Sequence, residues 1–490
     1  MQRIHFETLG CKLNQIETES LAHAFREAGF LVDNDPVYRP VGIESPTTPI
    51  DDNSVIAANP VYRPVGIEPF LYILNTCTVT GKAEQKARRI IRLMLRANPE
   101  ATVLVTGCYA EVETAAISAI DPRIVVFPGS RKGALADLPS YLARKHEQDP
   151  LMPLGDAIRD FSLMKIGQSD EPGTQARSAQ ETSSSAIEPL LSETFRLSTD
   201  DFLFHSRASI KIQDGCSNRC SYCRIRLARG KAVSLDADEV IARVRKIEDA
   251  GWGEVTLSGV NLSQYRSGNG DFADLLARLL AETSRIAIRV SSLYPERVDD
   301  AILPMLAHDR ILPHFHLSVQ SGSDRILAAM RRPYKAEAVL RAVERLRSIK
   351  ENPFIACDII AGFPGETDDD FAETLSLCAK ANFAWIHAFP FSPRPGTEAW
   401  DMRPRIPERI AGERVAILTD LAERNHRAYA DFWVGRVVPA IAEQGAEGAA
   451  VTAVTDNYLS VTISDDSGPI PRGKRIKVRL TAHDAAKLES

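Results

Sequence analysis

Hydrophobic and polar positions along the chain switch between two periods. Ile4–Leu9 is a short apolar-rich run closed by Gly10 and Cys11, and it reads as a strand. Asn14 follows with Glu17 three residues later, the spacing of a capping box; Leu21, Phe25 and Ala28 then give one apolar stripe, and Gly29 ends the helix. Leu71–Leu74, Thr102–Thr106 and Ile124–Phe127 repeat the strand pattern. Between them lie a basic helix, Lys82 to Arg96, and a helix from about Val112. This alternation predicts an α/β fold whose first domain, residues 1–150, is a doubly wound parallel sheet.

A second alternation begins at Ala208–Gln213 and continues through Glu254–Ser258, Ala287–Ser291, His314–Ser318, Phe354–Ile360 and Trp385–Phe389. Amphipathic helices separate these strands, so residues 205–432 are expected to form a (β/α) partial barrel. Residues 151–204 read as a flexible linker, because 165–200 is rich in Ser, Thr, Glu, Gln, Pro and Gly. From 433 to 490 the strands become short, with Gly, Asp and Asn turns, which predicts a small antiparallel β-barrel. The segment PVYRPVGIE occurs at Pro36–Glu44 and again at Pro60–Glu68. Neither copy holds a cysteine or histidine, so the stretch from about 34 to 68 reads as a duplicated surface insertion.

Composition narrows the class. The 490 residues are 44% hydrophobic and 25% charged, ordinary for a globular protein. The first residues show no basic and then apolar leader, and no run of eighteen uncharged apolar residues occurs, so a cytoplasmic protein without a membrane span is expected. Eight cysteines in a reducing compartment point to metal rather than disulfides. The net charge of −6 argues against a general polyanion binder. Two local basic stretches run the other way: Lys82, Lys86, Arg88, Arg89, Arg92 and Arg96 on the helix, and Arg472, Lys474, Arg475, Lys477 and Arg479 near the end.

The cysteines sort into two constellations. Cys216, Cys220 and Cys223 are spaced C-x-x-x-C-x-x-C directly after a strand and can reach three corners of one iron–sulfur cubane. The fourth iron then stays open for a reacting molecule. A zinc site would need a fourth ligand at short spacing, and only the upstream His205 is near. Cys11, Cys77 and Cys108 are remote in sequence, yet each follows a strand and precedes a helix. In a doubly wound sheet those positions share one edge, where ligands bind. The helix starts beyond them are expected to favour thiolate. Cys357, within a strand, and Cys378, within a helix, read as core residues.

These residues sit in a longer set: Thr8–Gln15 (TLGCKLNQ), Asn75–Thr80 (NTCTVT), Thr106–Ala110 (TGCYA), Ile212–Cys216 (IQDGC), Ala228–Gly230 (ARG), Ser258–Leu262 (SGVNL), His316–Ser323 (HLSVQSGS), Gly362–Thr367 (GFPGET) and Phe391–Thr397 (FSPRPGT). Together the set resembles the methylthiotransferases, a branch of the radical S-adenosylmethionine (SAM) superfamily. The resemblance implies a cluster-binding N-terminal domain, a radical SAM barrel and a C-terminal TRAM domain that binds RNA. It implies Cys216, Cys220 and Cys223 as the catalytic ligands of a SAM-cleaving 4Fe–4S cluster. Cys11, Cys77 and Cys108 would be the metal ligands of a second 4Fe–4S cluster. Tyr222, Ser258, Gly259, Gln320 and Ser321 are expected at the cofactor. The implied partners are the anticodon stem-loop of a tRNA and an electron donor such as flavodoxin or ferredoxin. Gly-Cys-Lys with Asn-Gln and Glu17 resembles the branch acting on threonylcarbamoyladenosine. The alternatives are a branch acting on isopentenyladenosine or a ribosomal protein and, in another class, a non-catalytic zinc-containing RNA-binding protein. One departure stands out: Tyr294 precedes Pro295 where the family pattern leads one to expect an acid.

Overall fold

Strand β1 (Arg3–Thr8) buries Ile4 and Phe6 and pairs in parallel with β2 (Leu31–Asp33) on one side and β3 (Leu71–Thr76) on the other. β3 is buried along its whole length, as is β4 (Thr102–Gly107), and β5 (Ile124–Val126) closes the far edge. This computed structural model describes residues 2–34, 69–149, 152–166, 193–443, 452–463 and 471–482. These residues form two units, one of those up to 199 together with 227–229, the other of those in 200–226 and from 230 on. Both PVYRPVGIE copies lie outside the described residues.

The first unit's sheet has the order β2-β1-β3-β4-β5, all parallel. This is one of the two common doubly wound orders, and its switch point lies between β1 and β3. Helix Gly81–Ala97 packs on it through Ala87, Ile91, Met94 and Leu95, against Tyr72, Leu74, Val103 and Val105. Two expectations need correction. Helix Lys12–Glu27 starts at Lys12 with Cys11 as N-cap, so Asn14 is not a cap. Residues 154–166, read as part of the linker, form a helix, because Phe161 finds a stacked partner in Phe127 at 6.2 Å between ring centroids.

The second unit opens with three parallel strands in the order β10-β9-β6: β6 (Ala208–Lys211), β9 (Glu254–Ser258) and β10 (Ala287–Val290). Three more, β11 (His314–Gln320), β12 (Phe354–Ala361) and β13 (Trp385–Pro390), form a second parallel set. Bridges at Ile288–Ile311 and Leu293–Leu317 join the two. Among the described residues β13 does not pair with β6, so the six strands make an open, partial barrel. A two-residue hairpin, β7 (Gln213–Asp214) with β8 (Val233–Ser234), frames the loop after β6. The last strands are β14 (Val437–Ala442), β15 (Thr452–Thr455), β16 (Ser460–Thr462) and β17 (Arg475–Arg479), antiparallel in the order β16-β15-β14-β17.

This last sheet is seated at the starting ends of the barrel strands. Phe354, the first residue of β12, and His314, the first of β11, meet Tyr458 in the turn between β15 and β16, at 5.6 Å and, stacked, at 3.9 Å. A buried ion pair reinforces the seat. Arg289 holds Glu254 in a fork, 2.6 Å and 2.9 Å, and also donates to the Asp456 carbonyl at 3.1 Å. Burial works to raise the Glu254 carboxyl, but the Arg289 guanidinium wins and holds it below its ordinary value. A depressed carboxyl contributes stability above its unfolded pKa, about 4.3, and that stability is lost as pH falls through the folded value. Replacing Glu254→Gln strands a buried cation, so we expect a loss of about 3–5 kcal/mol in the denaturant transition of this unit. The variant should lack this acid-side decline.

Candidate functional site

Each sequence-remote cysteine follows a strand, and at two of them the strand end is turned sharply by a glycine. Gly10, before Cys11, has φ +108°, and a Cβ there would lie 2.5 Å from Cys77 Cβ and 2.9 Å from its sulfur. Gly107, before Cys108, has φ +95°, and a Cβ would meet Asn75 Oδ1 at 2.4 Å and the Thr76 carbonyl at 2.5 Å. Both turns therefore require glycine, for conformation and for space. Asn14, freed from capping, donates to the Leu9 carbonyl at 2.8 Å and the Thr76 carbonyl at 3.0 Å, and Asn75 returns a bond to the Asn14 carbonyl at 3.1 Å. Thr76 Oγ1 donates to the Thr106 carbonyl at 2.5 Å. These buried bonds hold the ends of β1, β3 and β4 together, and the charges of Cys11, Cys77 and Cys108 act on one another.

The local electrostatics correct one expectation. Burial pushes the Cys77 thiol up to about 11 and raises Cys108 as well. Helix N-termini do not overcome this. The helix after Cys77 begins at Gly81, and the one that starts at Cys108 is a single turn, Cys108–Val112, followed by the expected helix at Thr114–Ser118. Glu17 is not a cap either; it is buried and accepts from Lys132 Nζ at 2.6 Å.

The second triad is local. Cys216 follows Gly215 at φ +66°. Burial raises the Cys216 thiol, while the Asn218 backbone N–H and the Asn261 side chain point at its sulfur. Burial drives Cys223 up to about 12, against a backbone N–H from Ile225. Gln213 supports this loop, donating to the Asp214 and Gly215 carbonyls at 2.8 Å and accepting from Asn261 N at 2.8 Å. Thiols raised in this way ionise only when a cation meets them, and N–H groups directed at sulfur suit a bound iron–sulfur cluster. Among the described residues no three His, Cys, Asp or Glu side chains converge on a single-ion site. A cubane does not ask for that convergence, since each of its sulfur ligands binds a separate iron.

The other expected positions divide. Ser258 Oγ is buried with no hydrogen-bond partner among the described residues, and Gly259 leaves no room for a Cβ, which would sit 2.9 Å from Gln213 Oε1. Gln320 holds φ +71° where the register of β11 shifts. The Tyr222 ring packs beside Phe363 at 6.5 Å. Ser321 is fully buried; its hydroxyl lies 3.2 Å from Thr374 Oγ1 and accepts from Ser323 N, so it is spent on structure. Cys357 and Cys378 are core residues, as expected. Inside the barrel, His316 lies between Ser292 Oγ at 2.9 Å and Asp358 Oδ1 at 3.2 Å, with the His387 ring 5.6 Å away. Sequence reasoning gave His316 no role of its own and did not single out Asp358 or His387. Their alternation along β11–β13 was the available signal. It also missed Arg332, whose contact with Cys220 has no motif.

Of the basic stretches, Lys82, Lys86, Arg89, Arg92 and Arg96 are exposed on one helix, while Arg88 is turned onto Tyr109 Oη at 2.7 Å. At the edge strand β17, Arg475 is engaged by Asp456, and Arg472, just before it, by the Phe202 and Leu203 carbonyls. Lys474 and Lys477 stay exposed. No helix among the described residues is long and apolar enough to cross a membrane.

Comparison with known proteins matches residues 210–378 to the radical SAM superfamily and residues 66–129 to the uncharacterized protein family UPF0004. The chain is 46% identical over 513 aligned residues, covering all of both chains, to the threonylcarbamoyladenosine tRNA methylthiotransferase MtaB of Treponema pallidum. The protein of the same name from Bacillus subtilis is 31% identical, across 98% of this chain and 94% of its own. That of Aquifex aeolicus is 30% identical, across 94% and 96%. As a check on the site, Gly107→Ala should cost about 1–3 kcal/mol from its positive φ alone. The overlap with Thr76 adds to this, so the thermal transition of the first unit should fall.

Proposed function

The chain belongs to the radical SAM methylthiotransferase family, and from that premise we propose that it transfers a methylthio group to C2 of N6-threonylcarbamoyladenosine beside the anticodon of a tRNA. The likeness along the whole length to relatives of that name carries the reading. Family membership brings one 4Fe–4S cluster and SAM. We assign Cys216, Cys220 and Cys223 to that cluster, and Cys11, Cys77 and Cys108 to a second 4Fe–4S cluster at the β1/β3 switch point. When bound, these groups supply the one-electron chemistry and the sulfur that replacement of an unactivated C–H bond requires.

The protein's own residues bind, orient and enclose. Gly10, Gly107 and Gly215 turn the cysteine loops; Asn14, Asn75 and Gln213 fix them with buried hydrogen bonds. Ser258, Gly259, Gln320 and Tyr222 lie at strand ends and in the cysteine loop, where barrel enzymes build their sites, and we assign them to SAM. Ser321 is left out of this set because its hydroxyl is committed elsewhere. A base in an anticodon loop is single-stranded and can be splayed toward such a site. The basic face of helix Gly81–Ala97 and the edge of β17, in what we read as a TRAM module, provide phosphate contacts. The electron donor is of the flavodoxin or ferredoxin class, and the setting is the cytoplasm.

Anaerobic reconstitution should load about eight irons per chain, the arithmetic of two four-iron clusters. The Cys11→Ala, Cys77→Ala, Cys108→Ala triple variant should hold about four. It should keep SAM cleavage to 5′-deoxyadenosine and lose methylthiolation in nucleoside analysis of tRNA. Full methylthiolation by the triple variant would end the two-cluster reading. For the RNA contact, Lys86→Ala, Arg89→Ala, Arg92→Ala together should reduce the slope of log K against log salt by about 2, at roughly 0.7 per single-strand phosphate contact. An unchanged slope would remove this helix from the interface.

A further inference from the structure

The lumen of the partial barrel is polar at mid-depth. On β11, His316 is part-exposed between the fully buried Phe315 and Leu317; on β12, Asp358 is part-exposed between the fully buried Cys357 and Ile359. On β13, Ile386 is buried and His387, next to it, is exposed. The period of 2 thus sends three polar side chains to the lumen together, and the register sets Asp358 directly opposite His387. Barrel interiors are ordinarily filled by branched apolar residues, and polar groups taken from water cost free energy unless they are paired.

Two atoms of this group have no hydrogen-bond partner among the described residues. His316 is committed on both nitrogens, to Ser292 Oγ at 2.9 Å and to Asp358 Oδ1 at 3.2 Å, which leaves Asp358 Oδ2 over. His387 Nδ1 lies 3.3 Å from the Trp385 indole nitrogen. An indole N–H only donates, so Nδ1 accepts, and the proton of the neutral His387 ring stands on Nε2. Partial burial and the neighbouring His316, whose ring is 5.6 Å away, hold that imidazole below its ordinary value and so keep it neutral. The Phe389 ring lies nearly parallel to it, at 11° and 6.4 Å between centroids. A donor fixed by its tautomer, Nε2–H, and an open acceptor, Oδ2, therefore stand on residues paired across two strands.

We propose that His387 and Asp358 form the subsite for the carbamoyl group of the substrate's N6 arm, with His387 Nε2–H donating to its carbonyl oxygen and Asp358 accepting from its N–H. The inference rests on the proposed substrate and deepens it. Reaction takes place at the strand ends, and His316 lies four residues, roughly 13 Å, below Gln320 at that edge. On adenine, C2 and C6 flank N1 and their substituents diverge, so a base presenting C2 at the strand ends is free to extend its N6 arm into the lumen. A neutral donor beside an acceptor matches a carbamoyl group. The arm's own carboxylate matches less well, because Asp358 would meet it as a like charge. An isopentenyl arm would cover both groups and pair neither, and a site built to hydrogen-bond its substrate rejects an analogue that cannot.

The test uses the full chain, reconstituted anaerobically with its clusters, and anticodon stem-loops that differ only at the reactive base: adenosine, N6-isopentenyladenosine or N6-threonylcarbamoyladenosine. Equilibrium binding gives a preference ratio for each arm, and a ratio does not depend on the fraction of folded chain. We expect the unaltered chain to favour the threonylcarbamoyl stem-loop. His387→Phe should lower that preference about tenfold, the upper range for one hydrogen bond, and His387→Gln, which keeps a donor, should retain most of it. SAM affinity should be the same in both variants as in the unaltered chain. A preference unchanged in His387→Phe overturns the subsite. So does a preference lost equally in both variants, which would leave the ring a packing role. Weakened SAM binding in His387→Phe at an unchanged preference also overturns it, giving the imidazole to SAM. An unaltered chain that does not distinguish the stem-loops overturns the proposed substrate, and the subsite with it, before any substitution is read.

Discussion

In the first unit the backbone ladders of β1 with β3 and of β3 with β4 keep the ends of those strands level, with Thr8 opposite Asn75 and Thr76 opposite Gly107. That registration turns Cys11, Cys77 and Cys108 into neighbours. Parallel strands all finish at one edge, and the switch point between β1 and β3 opens a crevice there. The buried amides of Asn14 and Asn75 then fix the spacing of the turns. Register constrains strand ends and places no demand on the length of the connection from β2 to β3. A segment such as 34–68 can enter that connection at a small entropic cost without moving a ligand.

Burial sets the second requirement. Both triads place thiols where desolvation opposes ionisation, most clearly at Cys77 and Cys223. Such sulfurs are poor free nucleophiles and become thiolates when a metal supplies positive charge. At three of the six the protein contributes dipoles: N–H groups of Val79 toward Cys77, of Asn218 toward Cys216 and of Ile225 toward Cys223. This division suits a redox group, because fixed dipoles hold the ligands in place while the group's own charge changes.

What could be read from the chain was whatever depends on local grammar. Strand, cysteine and helix in succession, three times, located one triad; C-x-x-x-C-x-x-C located the other; short runs separated by amphipathic helices located the six barrel strands. The reading failed where tertiary context outvoted the local pattern. Asn14 and Glu17 have capping spacing, but a helix already begun at Lys12 turns one into a stitch between strands and the other into a partner for Lys132. Helix Leu154–Ile166 was hidden by the polar sequence that follows it, and the core contact of Phe161 with Phe127 only exists once the fold does.

Tyr294 shows how a departure from pattern acquires meaning through a contact far away in sequence. Its Oη accepts from Arg332 Nη1 at 3.0 Å, and its ring centroid lies 4.3 Å from the guanidinium carbon. Where the pattern leads one to expect an acid, this chain has a neutral hydroxyl, and the carboxylate that acts on Arg332 is that of Glu296, two residues on. Glu296 is half-buried, with Oε2 buried and meeting no hydrogen-bond partner among the described residues, and burial holds its carboxyl above the ordinary value against the pull of the cation.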